Sequence, residues 1–340
     1  MNEELLSRLP KTDLHVHLEG SITPKTLLRI ADKQNRDVPA EIFNHETMQF
    51  NYNTEQGFFH IYPLVGKFIQ DSRSLEMVTT AFLEQQSEQN IQYSEVIYTA
   101  EQGNLDFDLD QQLAAIKSGR KKGMEEFGST FNLVVDVGRQ IPIDQVNEVL
   151  EWVIKRRDIG ENRFLVGFGI GGMENQGLPQ KYAKCFRTVK NNGLLSLPHA
   201  GEQLGPKIIW DTLHLLQPDR IGHGIRCVED PKLLEELNNR QIPIDVCPLS
   251  NLVLGYYPSL EAHPIQKMLN QDLNISLGSD DPGIMNFTFT EQFLRLSDEL
   301  KIPDSKLVEL LRNGIRNSGL SSDNKLEMFS EVDRILNAWN

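Results

Sequence analysis

Apolar residues come along this chain in short runs, each followed by an amphipathic stretch of helical length. The runs are TDLHVHL (12–18), IQYSEVIYT (91–99), TFNLVVDVG (130–138), RFLVGFGIGG (163–172), LLSLPHAGE (194–202), DRIGHGI (219–225), IPIDVCPLSN (242–251) and LNISLGSDD (273–281). Helix-length segments lie between them at 74–90, 109–127, 142–156, 179–192, 206–216, 230–240 and 260–271. Several of these open on a proline or a capping residue, as in DPKLLEEL and IPIDQVNEVLEWV. Nearly continuous apolar strands that alternate with helices predict a parallel sheet covered by helices. Eight such strands predict an α/β fold closed as a (β/α)8 TIM barrel, whose usual size is about 250 residues. Residues 1–340 read as one barrel domain, with a long insert after the first strand (24–90) and a helical tail beyond residue 287. A doubly wound open sheet is the alternative, and it calls for a Gly-rich phosphate turn after its first strand. The only candidate, GFGIGG (167–172), lies inside the fourth run. In the insert, Phe58, Phe59 and Tyr62 have the spacing of the core face of a helix.

The polar residues change this picture, because they gather at one end of the strands. In TDLHVHLEG, Asp13, His15, His17 and Glu19 alternate with Leu14, Val16 and Leu18, so both imidazoles point the same way. Gly171 and Gly172, His199 with Glu202, His223, Ser250, and Asp280 with Asp281 also fall at or just past the C-terminal ends of their runs. That rim is where barrels of this type build their active sites. His15, His17, His199 and Asp280 offer three imidazoles and a carboxylate, a donor set suited to one Zn2+ per chain. An ion that keeps a further position for water would acidify that water. His223 is then placed to take its proton, and Glu202 to act as general acid on a substrate. Single motifs carry less: an isolated His in a strand is commonly a hydrogen-bonded core residue, SDDP also reads as a helix N-cap, and CPLSN as a turn.

Charge and cysteine content narrow the partners. With 34 basic and 48 acidic residues the net charge is −14. An acidic chain is poorly suited to track nucleic-acid phosphates or anionic lipid, which leaves a small-molecule partner. The longest basic cluster, Arg120-Lys121-Lys122, is a solvated helix end. Cys185, Cys227 and Cys247 lie far apart, so neither a disulfide framework nor a Cys-based zinc site is expected. No apolar run reaches the ~20 residues of a membrane span, and MNEELLSRLPKTDL lacks a signal-peptide pattern. The expected setting is the cytoplasm.

HVHLEGS, HAGE, RIGHG, CPLSN and SLGSDDP, in this order, resemble the adenosine deaminase family of the amidohydrolase superfamily, from about residue 10 to residue 290. The resemblance implies a zinc-bearing (β/α)8 barrel that replaces a purine 6-amino group by oxygen. It assigns His15, His17, His199 and Asp280 as metal ligands and Glu202, His223 and Asp280 as catalytic residues. Glu202 is the implied proton donor to N1, with a raised pKa expected in a closed site, and His223 orients the water. His17, Glu19, Gly172 and Asp281 are the implied substrate contacts, with Asp281 accepting at the N7 side and the Gly172 amide donating toward N3. The HxE…PCxxC signature of the cytidine-type deaminases is absent. Departures concern the part of the substrate attached at N9. Glu19 stands where many adenosine deaminases have Asp, Ile97 and Thr99 where close relatives have Arg and Ser, and GIGGMENQGLP where DLAGDE is usual. An adenosine-like nucleoside is the first expectation and free adenine its rival. A metal phosphoesterase and a non-catalytic binding barrel follow behind them.

Overall fold

The structure is a computed structural model that describes residues 1–52, 55–100, 107–157 and 164–339. Each apolar run contributes one strand: β1 (Lys11–His17), β2 (Ile91–Thr99), β3 (Thr130–Gly138), β4 (Leu165–Gly171), β5 (Leu195–Ala200), β6 (Ile221–His223), β7 (Ile244–Val246) and β8 (Ile275–Leu277). They form an eight-stranded sheet in sequence order, and every pairing is parallel. The sheet closes on itself at the mouth, where Val16 bridges Asp280. There His17 N–H donates to the Asp280 carbonyl and Asp280 N–H to that of His15, both at 2.8 Å. The fold is therefore the (β/α)8 barrel that the pattern predicts, and its seam runs through the residues singled out for chemistry.

The last three strands are shorter than their runs. In IPIDVCPLSN the strand stops at Val246, because Pro248 starts a helix, Pro248–Val253. CPLSN is thus a strand exit and a first helical turn. The segment 260–271 yields only the short helix Ile265–Leu269. The insert holds a helix at Pro24–Lys33, capped by Thr23, an antiparallel hairpin of Phe43–Asn44 with Gln49–Phe50, and a helix at Glu55–Gly66. The next helix, Ser72–Glu88, opens on an Asp71–Ser74 capping box and covers β2.

The tail consists of helices Phe289–Asp298, Asp304–Asn317 and Ser322–Trp339. It is part of the barrel wall, since Asp304–Asn317 packs across β8 and β1 and covers the seam. Gly314 permits that approach: a Cβ there would lie 2.5 Å from Thr12 Oγ1.

Outward-facing strand residues such as Val96, Leu133, Val135 and Phe168 join the helices in a large apolar cluster. Inside the barrel, Ile97, Val134, Val166 and Leu197 form a separate small plug. Beside it lies a buried ionic network at the lower end. Arg220 pairs with Glu95 at 2.8 Å and with Asp245 at 2.7 Å, and Ser276 Oγ donates to Asp245 at 2.7 Å. Among the described residues no helix is long and apolar enough to cross a membrane.

Candidate active site

Strand alternation aims His15 and His17 of β1 into the mouth, with ring centroids 5.7 Å apart. His199 near the end of β5, His223 at the end of β6 and Asp280 just past β8 converge on them. The His15 ring lies 4.5 Å from that of His199 and 4.9 Å from that of His223. His17 Nε2 is 3.3 Å from His199 Nε2 and 3.4 Å from Asp280 Oδ1, while His15 Nε2 is 3.8 Å from the same oxygen. The other Asp280 oxygen accepts from Ser250 Oγ at 2.5 Å. The candidate donors of His15, His199, His223 and Asp280 all lie within 4.8 Å of one another. Five side chains thus surround one point, one more than the ligand set expected from the sequence. His223 and Asp280 both hold φ of 63°. This is a left-handed conformation that costs a non-glycine residue about 1–3 kcal/mol.

The electrostatics favour a cation. Burial, and then the neighbouring imidazoles, hold His15 and His199 well below the ordinary histidine pKa, and burial likewise lowers His223. The three rings are therefore neutral. His15 Nε2, His199 Nδ1 and His223 Nδ1 are buried without hydrogen-bond partners. Neutral imidazoles with orphaned nitrogens around a carboxylate fit a divalent metal of the zinc type. Behind them, Asp13 accepts from Ser279 N–H at 3.2 Å and also from Ser279 Oγ, and burial pushes its carboxyl up to about 7.

Glu202 Oε1 accepts from Asn251 Nδ2 at 3.0 Å and lies 3.4 Å from His223 Nδ1. Asn251 Oδ1 in turn faces His263 Nε2 at 3.1 Å, and His263 Nδ1 accepts from Ile265 N–H. His263, pushed down to about 3 by burial, is neutral and donates through Nε2. This chain fixes the carboxyl of Glu202, and neither Asn251 nor His263 stood out in the sequence.

The space in front of these groups is a cavity of about 210 Å3. Gly171 and Gly172 form one wall, and Phe58, Phe59 and Tyr62 of the insert cover it. Phe58 is helix core and Tyr62 packs half-buried against it, whereas Phe59 is exposed, contrary to the core reading; all three line the cavity. Asp136, Glu202, Asp280 and Asp281 face the cavity, and no Lys or Arg lines it among the described residues. Burial, followed by the charges of Asp280, Glu19, Glu202 and Asp136, raises Asp281 well above the carboxylate range. Gly20 makes room for this side chain, since a Cβ there would meet Asp281 Oδ1 at 1.8 Å. Glu19 sits beside the rim. Its Oε1 accepts from Thr99 N–H at 3.1 Å, and it is absent from the cavity lining. Thr99 also donates through Oγ1 to Asp136 at 2.7 Å.

Comparison with known proteins gives the family. The sequence family described as "Adenosine deaminase" matches residues 10–335. A relative from Crocosphaera subtropica named "Adenine deaminase" is 30% identical over 326 residues, covering 96% of this chain and 98% of the relative. The crystal structure of adenine deaminase from Arthrobacter aurescens superposes with a TM-score of 0.85 at 25% identity, covering 97% of this chain and 99% of that one. The apo structure of the N6-methyl-AMP deaminase from Arabidopsis thaliana shares the fold, with a TM-score of 0.85 at 22% identity over 98% of each chain. Barrel and rim together define a metal-dependent enzyme of the amidohydrolase type, a hydrolase of C–N bonds in cyclic amidines that acts on small purines. The chain belongs to the adenosine deaminase family.

Proposed function

We propose that this chain, as a single catalytic domain over residues 1–340, hydrolyses adenine to hypoxanthine and ammonia. The observation that carries the reaction is the convergence of neutral imidazoles, Asp280 and Glu202 on one cavity. The substrate order expected from the motifs is reversed, with the free base ahead of the nucleoside. Three observations favour that order. The relatives named above from Crocosphaera and Arthrobacter are adenine deaminases. The cavity, at about 210 Å3, falls below the 300–1,000 Å3 usual for ligand pockets, which suits a bare base better than a base with its sugar. Glu19, the candidate ribose contact, is occupied with the amide of Thr99. A nucleotide is disfavoured by the acidic lining, since a phosphate beside four carboxyl side chains would find no cation among the described residues.

His15, His17, His199 and Asp280 would hold a zinc ion, which when bound supplies Lewis acidity to water. We assign His17 rather than His223 to the ligand set because its Nε2 faces both Asp280 and His199, while His223 Nδ1 faces Glu202. Glu202 gives its proton to N1, which makes C6 electrophilic enough for water to add. His223 steers the water and takes up a proton as it attacks. One water proton leaves on the amine as ammonia, the other restores Glu202, and the proton on N1 stays in hypoxanthine. Asp281 faces the N7 side, and the Gly172 amide lies toward N3. Ammonia release from adenine, adenosine and AMP at matched concentrations tests the reading. We expect kcat/KM for adenine to exceed that for adenosine at least tenfold, and a tenfold preference for adenosine would reverse the assignment.

A further inference from the structure

Glu174 takes no part in the chemistry above, yet it is 1% exposed beside the site, in the turn after β4. Its carboxylate gathers four consecutive backbone N–H groups. Oε1 accepts from Gly201 at 2.6 Å and Glu202 at 3.2 Å, and Oε2 from Gln203 at 3.1 Å and Leu204 at 2.5 Å. These amides belong to the segment that leaves β5 and carries Glu202. The segment has no helix or strand partner of its own, so a buried acceptor must satisfy its donors. Successive N–H groups folded around an anion form a nest. Here the chain supplies the anion itself. Gln203 answers the contact, because its Oε1 accepts from Glu174 N–H at 3.0 Å. The buried charge is offset by Arg139, which is fully buried and feels Glu174 electrostatically. Its Nη2 donates at 2.5 Å to the carbonyl of His199, and its Nη1 donates to that of Gly177.

We propose that Glu174 is a positioning residue for Glu202. Its carboxylate sets where the Glu202 backbone lies, and Asn251 sets where the Glu202 carboxyl ends, 3.4 Å from His223 Nδ1. The inference rests on the deaminase reading with Glu202 as the acid. The Glu174→Gln variant keeps the shape but turns an N–H against two of the four amides. We expect folded E174Q to lose kcat on the order of ten- to a hundredfold, the cost of a misplaced catalytic group, with KM and metal content close to wild type. The double variant E174Q/E202Q should be no slower than E202Q, because displacing an acid costs nothing once the acid is gone. If E174Q does not fold, Glu174→Asp keeps the charge one methylene short and enters the same cycle with E202Q. Full kcat in the folded Glu174 variant, or losses that multiply in the double variant, would overturn the proposal. Near-normal kcat in E202Q alone would instead remove the acid assignment on which it rests, a result separable from anything Glu174 does.

Discussion

The two ends of this barrel bury polar groups in opposite ways. At the lower end Arg220 lies between Glu95 and Asp245, and Ser276, Gly319 and the Leu14 carbonyl take up further hydrogen-bonding capacity. At the upper end three imidazole nitrogens are buried with no hydrogen-bond partner, around an aspartate. A buried polar group without a partner costs about 1–3 kcal/mol. Three such nitrogens gathered at one point call for a ligand, whereas Glu95 Oε2, the atom of the lower network without a hydrogen bond, is held by Arg220 at 2.8 Å. Burial of charge alone therefore does not mark a site; unpaired imidazole nitrogens gathered around one carboxylate do.

The largest effect that separates the ends should come from Glu202→Gln. The amide preserves the contact region with Asn251 but has no proton for N1. Turnover should fall by about 10²–10⁴-fold, while the melting temperature and metal content stay near wild type. Steady-state ammonia release on purified protein checks this, and near-normal turnover would mean that another group is the acid. Arg220→Met is the counterpart below. It strands Glu95 and Asp245 as buried carboxylates, a loss of about 3–5 kcal/mol of stability. Denaturant unfolding should register that loss, while the protein still folded turns over adenine at close to the normal rate. A stable but inactive R220M would show that the lower network serves catalysis and would erase the contrast.

The smallest effect per unit concerns Lys11, whose Nζ donates to the Leu6 and Leu9 carbonyls beneath the barrel. Burial lowers its pKa from 10.5 to about 7. Between those values the unfolded chain holds a proton that the folded chain has released, so stability rises with pH across that window. The slope is at most about 1.4 kcal/mol per pH unit. Unfolding midpoints of wild type and Lys11→Met between pH 7 and 9.5 should diverge in favour of wild type as pH increases. Parallel curves would mean that the ammonium stays charged in the fold.

The strands and the rim histidines were legible because both follow from periodicity. Apolar runs mark β1 to β8, and alternation in TDLHVHL places two imidazoles on one face. The runs overshoot where apolar residues continue past a strand, as at Pro248, whose ring favours the first turn of a helix. The helix at 24–33, which opens on Thr23 and Pro24, was not among the predicted segments, while the one at 55–66 showed in the spacing of Phe58, Phe59 and Tyr62 despite Pro63. The helical tail was legible, and only the packing of 304–317 on β1 and β8 makes it barrel wall. Asn251, His263, Glu174 and Arg139 stayed hidden for a different reason. Their partners are backbone groups or side chains brought together by folding, as when Glu174 meets the amides of 201–204. Glu19 was legible as a rim carboxylate, but its pairing with Thr99 depends on the approach of β2 to the end of β1.

The central claim is that the rim holds a metal through His15, His17, His199 and Asp280, with His223 left free for the proton. Metal content per chain, measured by mass spectrometry on wild type, His17→Ala and His223→Ala, tests it most directly. Wild type and H223A should each carry about one zinc-like ion in a four-ligand site, and H17A should lose most of it. Retention in H17A with loss in H223A would move the site to His15, His199, His223 and Asp280 and contradict the account.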